Sequence, residues 1–407
     1  MRASNLIKLL SKLDKEECKR FDKFIHSPYF NSNKVISQLW ELIRKYHPTF
    51  DSNKLEKKKV FQKLFPQQAY KEDKMWKLMS HLKGLVEQFL VVEKNNKNTT
   101  TYHIQLQEIF SERNLQDWFE QKSTNLTSKL INNDSLINQF YLHKIHDDCY
   151  YNNHNLARQP NHPNLTKAYA HLHYYYHLQQ LRYACEWKSR SNRIVEDLPL
   201  FIQAITYREQ YAKQPLYSLY YDVFLLFSEK AKTIDFFKKL IYKLKNHIDE
   251  IPKKHQISLI LYLINYGGRK IQLGKEEYTP ILFEIYQLGL TNQRLIYNGT
   301  ISETTFMNIV SIASKLDAYE WIENFIQEFS PFLSAATAAV DLAWAKALVY
   351  LRQEKYEEVI KIADNIKFDT DIKELTRRSI LVRACLGSMV NGDYSWFNYI
   401  FYGKYIC

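Results

Sequence analysis

Few residues in this 407-residue chain have types and spacing that could do chemistry. The densest group is His143, His146, Asp147, Cys149 and His154. At helical spacing His143, His146 and Asp147 share a face, and imidazole, carboxylate and thiolate together can hold a divalent ion. Such a site needs three or four convergent ligands, and no tightly spaced partner group lies elsewhere in the chain. His143, His146 and Cys149 therefore stand as metal candidates beside a plainer reading, a polar helix that ends in a loop. No metal or cofactor is expected. His173 and His177 are one turn apart beside Tyr174, Tyr175 and Tyr176, with Cys185 two turns on. A tyrosine-rich packing face explains that set more simply than a ligand site does.

No glycine-rich phosphate loop, H-E-x-x-H helix, G-x-S-x-G elbow or EF-hand pattern occurs. The run Gly267-Gly268-Arg269-Lys270 lacks the strand-to-helix context of a phosphate loop. No catalytic set can be assembled, so an enzyme is not expected. Arg182-Tyr183 through Trp187-Lys188 to Arg190 and Arg193 interleaves bases with aromatics, as single-strand nucleic-acid binders do. A helix whose lysine and arginine stems cover aromatic packing shows the same pattern.

The elements that must position these residues are helices. The chain has 9 Gly and 10 Pro, where ordinary usage would give roughly 28 and 20. Sheets need glycine in their hairpin turns, so its scarcity points to an all-α fold. Hydrophobic residues at 45% suffice for a real core. The five cysteines show no C-x-x-C spacing and are odd in number, which fits a reducing cytoplasmic setting rather than a disulfide framework. Neither a signal peptide at Met1–Leu10 nor an apolar run of membrane length is present, so no membrane partner is expected.

Residues 1–93 read as a basic helical bundle. Asp14 and Glu17 form a capping box, Asn31 is placed to cap the next helix, and His47-Pro48 stops it. Residues 1–95 carry 20 Lys and Arg against 11 Asp and Glu, most of the chain's +12. Nucleic-acid binding through this bundle, with Lys57-Lys58-Lys59 as its only basic run, is the alternative function. Residues 94–101 read as a linker, and 102–230 as a helical region of irregular repeats, with a second break at 152–164.

Residues 231–407 repeat. Tyr278, Tyr319, Tyr356 and Tyr394 each follow a short polar turn and open an amphipathic helix, at intervals close to 40 residues. That is the length of a helix pair in a helical solenoid. In the clearest unit Ala347 is the small residue of the first helix and Tyr356 opens the second; Cys385 and Tyr394 repeat the arrangement. This resembles the tetratricopeptide repeat, covering two units well and two loosely, without the usual closing proline. The run Lys19-Arg20-Phe21 to Ser27-Pro28-Tyr29-Phe30-Asn31, with Phe65-Pro66 and Met79-Ser80, resembles a helical family common in Bacteroidetes to which no activity is assigned. Members of that family run further, which implies a chain cut short at Cys407.

The fold expected is thus an N-terminal helical bundle followed by a TPR-like α-solenoid of helix pairs. A solenoid leaves a groove lined by the first helix of each pair, and a non-catalytic scaffold binding a protein or peptide partner there is the expected function. Taking Tyr356 and Tyr394 as register, the groove residues of the last two units are Trp344, Ala345, Leu348 and Arg352, then Val382, Arg383, Leu386 and Met389. Tryptophan beside arginine is the composition of a binding hot spot.

Overall fold

The computed structural model describes residues 1, 3–96, 99–131, 135–152, 162–190, 207–227, 233–366 and 371–390. Lys97, Asn98, His154, Arg193, Tyr394 and Cys407 lie outside them, as does the side chain of Met389. Among the described residues 19 α-helices form and no strand does; the closest approach to one is an isolated bridge between Tyr297 and Thr300. The fold is all-α. Two compact units divide the chain, residues 1–127 and 128–407.

In the first unit α1 (Asn5–Leu10), α2 (Lys15–His26) and α3 (Lys34–Ile43) pack on the long α5 (Glu72–Asn96), and α4 (Lys57–Leu64) packs on α3. The expected capping box starts α2: Asp14 accepts from the Glu17 amide and Glu17 accepts from the Asp14 amide. The cap of α3 is Asn33 and not Asn31. Asn31 is instead buried, and its amide group donates to the Ile25 and Asn33 carbonyls and to Ser37, tying the α2 exit to the start of α3. Phe21, Trp40 and Phe89 meet at the centre, with the Phe21 and Trp40 rings edge to face at 4.9 Å. This core closes on Val92, while the compact unit also takes in α6 (Thr100–Glu112) and most of α7 (Gln116–Ile131). Helix α5 runs through Asn96 and α6 opens at Thr100, so helix occupies most of the expected 94–101 linker.

The second unit begins with an antiparallel pair, α8 (Leu136–Tyr151) and α9 (Pro163–Arg190). After the single turn α10 (Arg208–Tyr211), helices α11 (Pro215–Phe227), α12 (Ile234–His247), α13 (Lys253–Gln272) and α14 (Thr279–Leu290) make two further pairs. Then come α15 (Glu303–Ser314) with α16 (Tyr319–Phe329), α17 (Ala338–Arg352) with α18 (Tyr356–Asn365), and α19 (Asp371–Val390). First helices pack along the row: α9 on α11, α11 on α13, and α15 on α17. Buried tyrosines lock the early members. The Tyr220 hydroxyl is 2.8 Å from His255 Nδ1, and Tyr262 donates to Glu186 at 2.8 Å. Burying these rings gains area while each hydroxyl keeps a partner.

The turn tyrosines behave as wedges. Tyr319 and Tyr356 are the first residues of α16 and α18, and Tyr278 is the cap residue before α14. Ala347, Ala384 and Cys385 are buried with Val359 and Ile360 in one cluster, so small residues sit where α17, α18 and α19 meet. The Tyr356 ring lies against Gly387 of α19 so closely that a Cβ there would overlap it. Gly84 of α5, by contrast, has nothing within 4 Å of such a Cβ. Gly84→Ala should therefore stabilise the chain by about 1 kcal/mol through helix propensity, and Gly387→Ala should cost about 1–3 kcal/mol by expelling the Tyr356 ring. Denaturant melts of both variants check this; equal effects would contradict the wedge.

Candidate functional site

The histidines come together, but as packing. His143 Nδ1 lies 3.1 Å from the Ala168 carbonyl, and His146 Nδ1 lies 3.1 Å from Asn164 Oδ1. Both bonds join α8 to α9 and occupy one ring nitrogen of each histidine. The His146 ring stacks on His171 at 5.7 Å, and His171 Nδ1 meets Gln139 Oε1 at 2.7 Å. Cys149 is half-buried, and no group of three His, Cys, Asp or Glu among the described residues could hold a metal ion. Further along α9, His173 Nδ1 is 2.5 Å from the Tyr211 hydroxyl, and its Nε2 is 3.1 Å from Nε2 of the buried His177. Two imidazoles that share a hydrogen bond cannot both be charged.

Of the expected groove residues, the structure relocates two. Trp344 is 7% exposed and Ala345 is fully buried. Trp344 belongs to the cluster of Ala347, Val359 and Leu381, because residues three apart on a helix share a face and Ala347 faces the paired helix. The exposed hot spot expected there is therefore a core tryptophan. Leu348 is half-buried, whereas Arg352, Val382, Arg383 and Leu386 are exposed.

A concave pocket lies elsewhere, in the middle of the second unit. It measures about 620 Å³ and is walled by the last turn of α9, one face of α13, part of α14 and one face of α15. Asn265, Gly268, Arg269 and Gln272 of α13 line it at helical spacing, and Asn308, Ser311 and the adjoining Lys315 do so for α15. Tyr286 closes the floor; burial pushes its hydroxyl up to about 12, so it stays protonated at any physiological pH. Arg269 is oriented by the end of α9: Nη1 donates to the Lys188 carbonyl at 3.4 Å, and Nη2 to Ser189. Among the described residues no Asp, Glu, His or Cys lines the pocket. It can hold and orient a polar ligand, but its lining has no proton-transfer pair or thiol nucleophile.

No sequence motif marks this pocket, and Arg269 belongs to a run that fails as a phosphate loop. The signal was present in α13 and α15, where polar residues recur every three or four positions within otherwise apolar helices.

The three lysines of the basic run are engaged within the first unit. Lys57 pairs with Glu72, Lys59 with Glu56, and Lys58 lies over the Tyr70 ring at 5.9 Å. No helix among the described residues is long and apolar enough to cross a membrane. Comparison with known proteins finds no matching family, no matching curated protein and no matching solved structure.

Burial has two measurable consequences. Trp344→Ala should cost about 3–5 kcal/mol, and Leu386→Ala less than about 0.5 kcal/mol, by urea unfolding. Similar costs would place Trp344 outside the core. Burial also pushes His171, His177 and His255 down to about 4, below the ordinary histidine value. As the pH falls, the unfolded chain takes up these protons first. The stability of neutral burial is thus complete above about 6.5 and lost progressively toward 4. The melting temperature should drop between pH 6.5 and 5, before most carboxylates titrate, and His255→Gln should make that drop shallower. A flat profile would contradict the buried neutral state.

Proposed function

We propose that this chain is a non-catalytic, TPR-like helical-repeat scaffold of the cytoplasm that holds an extended segment of a partner protein across the α13–α15 pocket. The observation that carries this reading is the pocket's construction. The first helices of two successive pairs each turn a row of amides, hydroxyls and cations toward one concavity, with an aromatic floor. A row of hydrogen-bonding side chains at helical spacing on neighbouring helices suits an extended peptide, whose backbone offers donors and acceptors along its length. Among the described residues a lining with no carboxylate, imidazole or thiol supports binding over catalysis. The exposed Arg352, Val382, Arg383 and Leu386 extend the candidate surface in α17 and α19.

Nucleic-acid binding by the first unit ranks below this. Its net positive charge is spread over several helices, and its only run of lysines already has carboxylate and aromatic partners. Phosphate contacts would have to displace those partners before releasing counterions.

Selection of random peptides on the immobilised full chain tests the proposal. A Cβ at Gly268 meets nothing within 4 Å, so Gly268→Trp should fill the pocket without disturbing the core. Selected peptides should bind the parent chain and lose about tenfold or more in affinity with this variant, equivalent to about 1.4 kcal/mol, at an unchanged melting temperature. Peptides that bind both proteins equally would place the binding site elsewhere.

A further inference from the structure

The charge of the pocket is one-sided. Among the described residues Arg190, Arg269 and Lys315 line it, and no carboxylate does. Arg190 pairs with Glu186 and Lys315 with Glu276, so two of the three cations have an acidic partner outside the lining. Arg269 has none: among the described residues its bonds go to the carbonyls of Lys188 and Ser189, and its guanidinium lies 5.9 Å from the Phe227 ring centre. Carbonyl oxygens orient a guanidinium without cancelling its charge. The two arginines of this unit that are buried among the described residues are handled differently. Arg294 meets Asp249 at 2.6 Å, and Arg377 meets Glu374 at 2.5 Å. A half-buried arginine held in place but left uncompensated keeps free donors for a ligand, since two of its five N–H groups are used.

We infer that the pocket takes an oxyanion, carboxylate or phosphate, carried on a side chain of the bound segment. This rests on the partner-binding reading and gives its ligand a chemical class. Arg269 is the primary contact, in the fork geometry suited to a planar or tetrahedral oxyanion. Gln272, Asn265 and Asn308 supply neutral amide donors around it. Arg190 and Lys315 at the edge can turn from their own carboxylates toward an incoming anion. An acidic peptide is the occupant these charges fit.

The test is titration of the full chain with hexaglutamate, hexaglutamine and inorganic phosphate. Hexaglutamate should bind and hexaglutamine should not. Gln272→Glu places a carboxylate beside Arg269 while leaving the bonds from Arg269 to the end of α9 intact. It should weaken hexaglutamate binding by about tenfold or more at an unchanged melting temperature. Arg269→Gln should do the same, and Gln272→Glu keeps the test decisive if the loss of the α9 contacts unfolds that variant. Displacement of hexaglutamate by phosphate assigns a shared oxyanion site. A phosphoserine peptide that binds more tightly than hexaglutamate names phosphate as the source, and weaker binding names carboxylate. Equal binding of hexaglutamine, or full affinity in Gln272→Glu, would overturn the oxyanion inference and leave the peptide-binding reading standing. Failure of both peptides and phosphate to bind at millimolar concentration would overturn the oxyanion inference as well.

Discussion

The second unit depends on how closely one helix can approach the next. An α-helix can bury one stripe cheaply against a partner, but a row of pairs must bury two, one within the pair and one toward the neighbour. Here small residues open the space and aromatics fill it. Ala347, Ala384, Cys385 and Gly387 let α17, α18 and α19 come together, and the Tyr356 ring occupies the remaining wedge. Earlier in the row the work falls to tyrosines whose hydroxyls find partners on a neighbouring helix, as Tyr220 does with His255 and Tyr262 with Glu186. The tyrosine contacts hold α9, α11 and α13 together, and so two walls of the pocket. Displacing one wedge would tilt a helix and change the spacing between rows of pocket side chains.

Much of this was legible in the chain itself. Scarce glycine and the 3.6-residue period correctly imply helix throughout the described residues, and the Asp14–Glu17 capping box sits where its spacing requires. The turn tyrosines mark helix starts at Tyr319 and Tyr356 because an aromatic after a polar turn has one apolar wedge to enter. Facing was harder. Asn31 and Asn33 both suit a cap, and only the competing buried bonds of Asn31 decide between them. Trp344 suits a hot spot by type, yet its three-residue spacing from Ala347 commits it to the core. The pocket was the least legible feature, because its residues come from helices some 40 positions apart and each row alone looks like a solvated helix face.

The histidines show the same limit from the other side. His143 and His146 have the spacing of metal ligands, but spacing along one helix does not say what the facing helix presents. Here α9 presents a carbonyl, an amide and another imidazole. The rings act as hydrogen-bonding spacers between helices, and burial holds His146 and His171 below the ordinary histidine value, which couples packing of the second unit to acid. Arg269 is the converse case: an ordinary residue in an unpromising run becomes distinctive only when the end of α9 holds its guanidinium and no carboxylate among the described residues answers it.

In the proposed function the concavity formed by α9, α13 and α15 holds a partner segment. Hydrogen exchange of the full chain, with and without a saturating peptide selected on it, tests this directly. Slowed exchange is expected only at residues near 264–272 and 308–315, with residues 1–96 unchanged. Protection centred on the first unit, with none around Arg269, would contradict it.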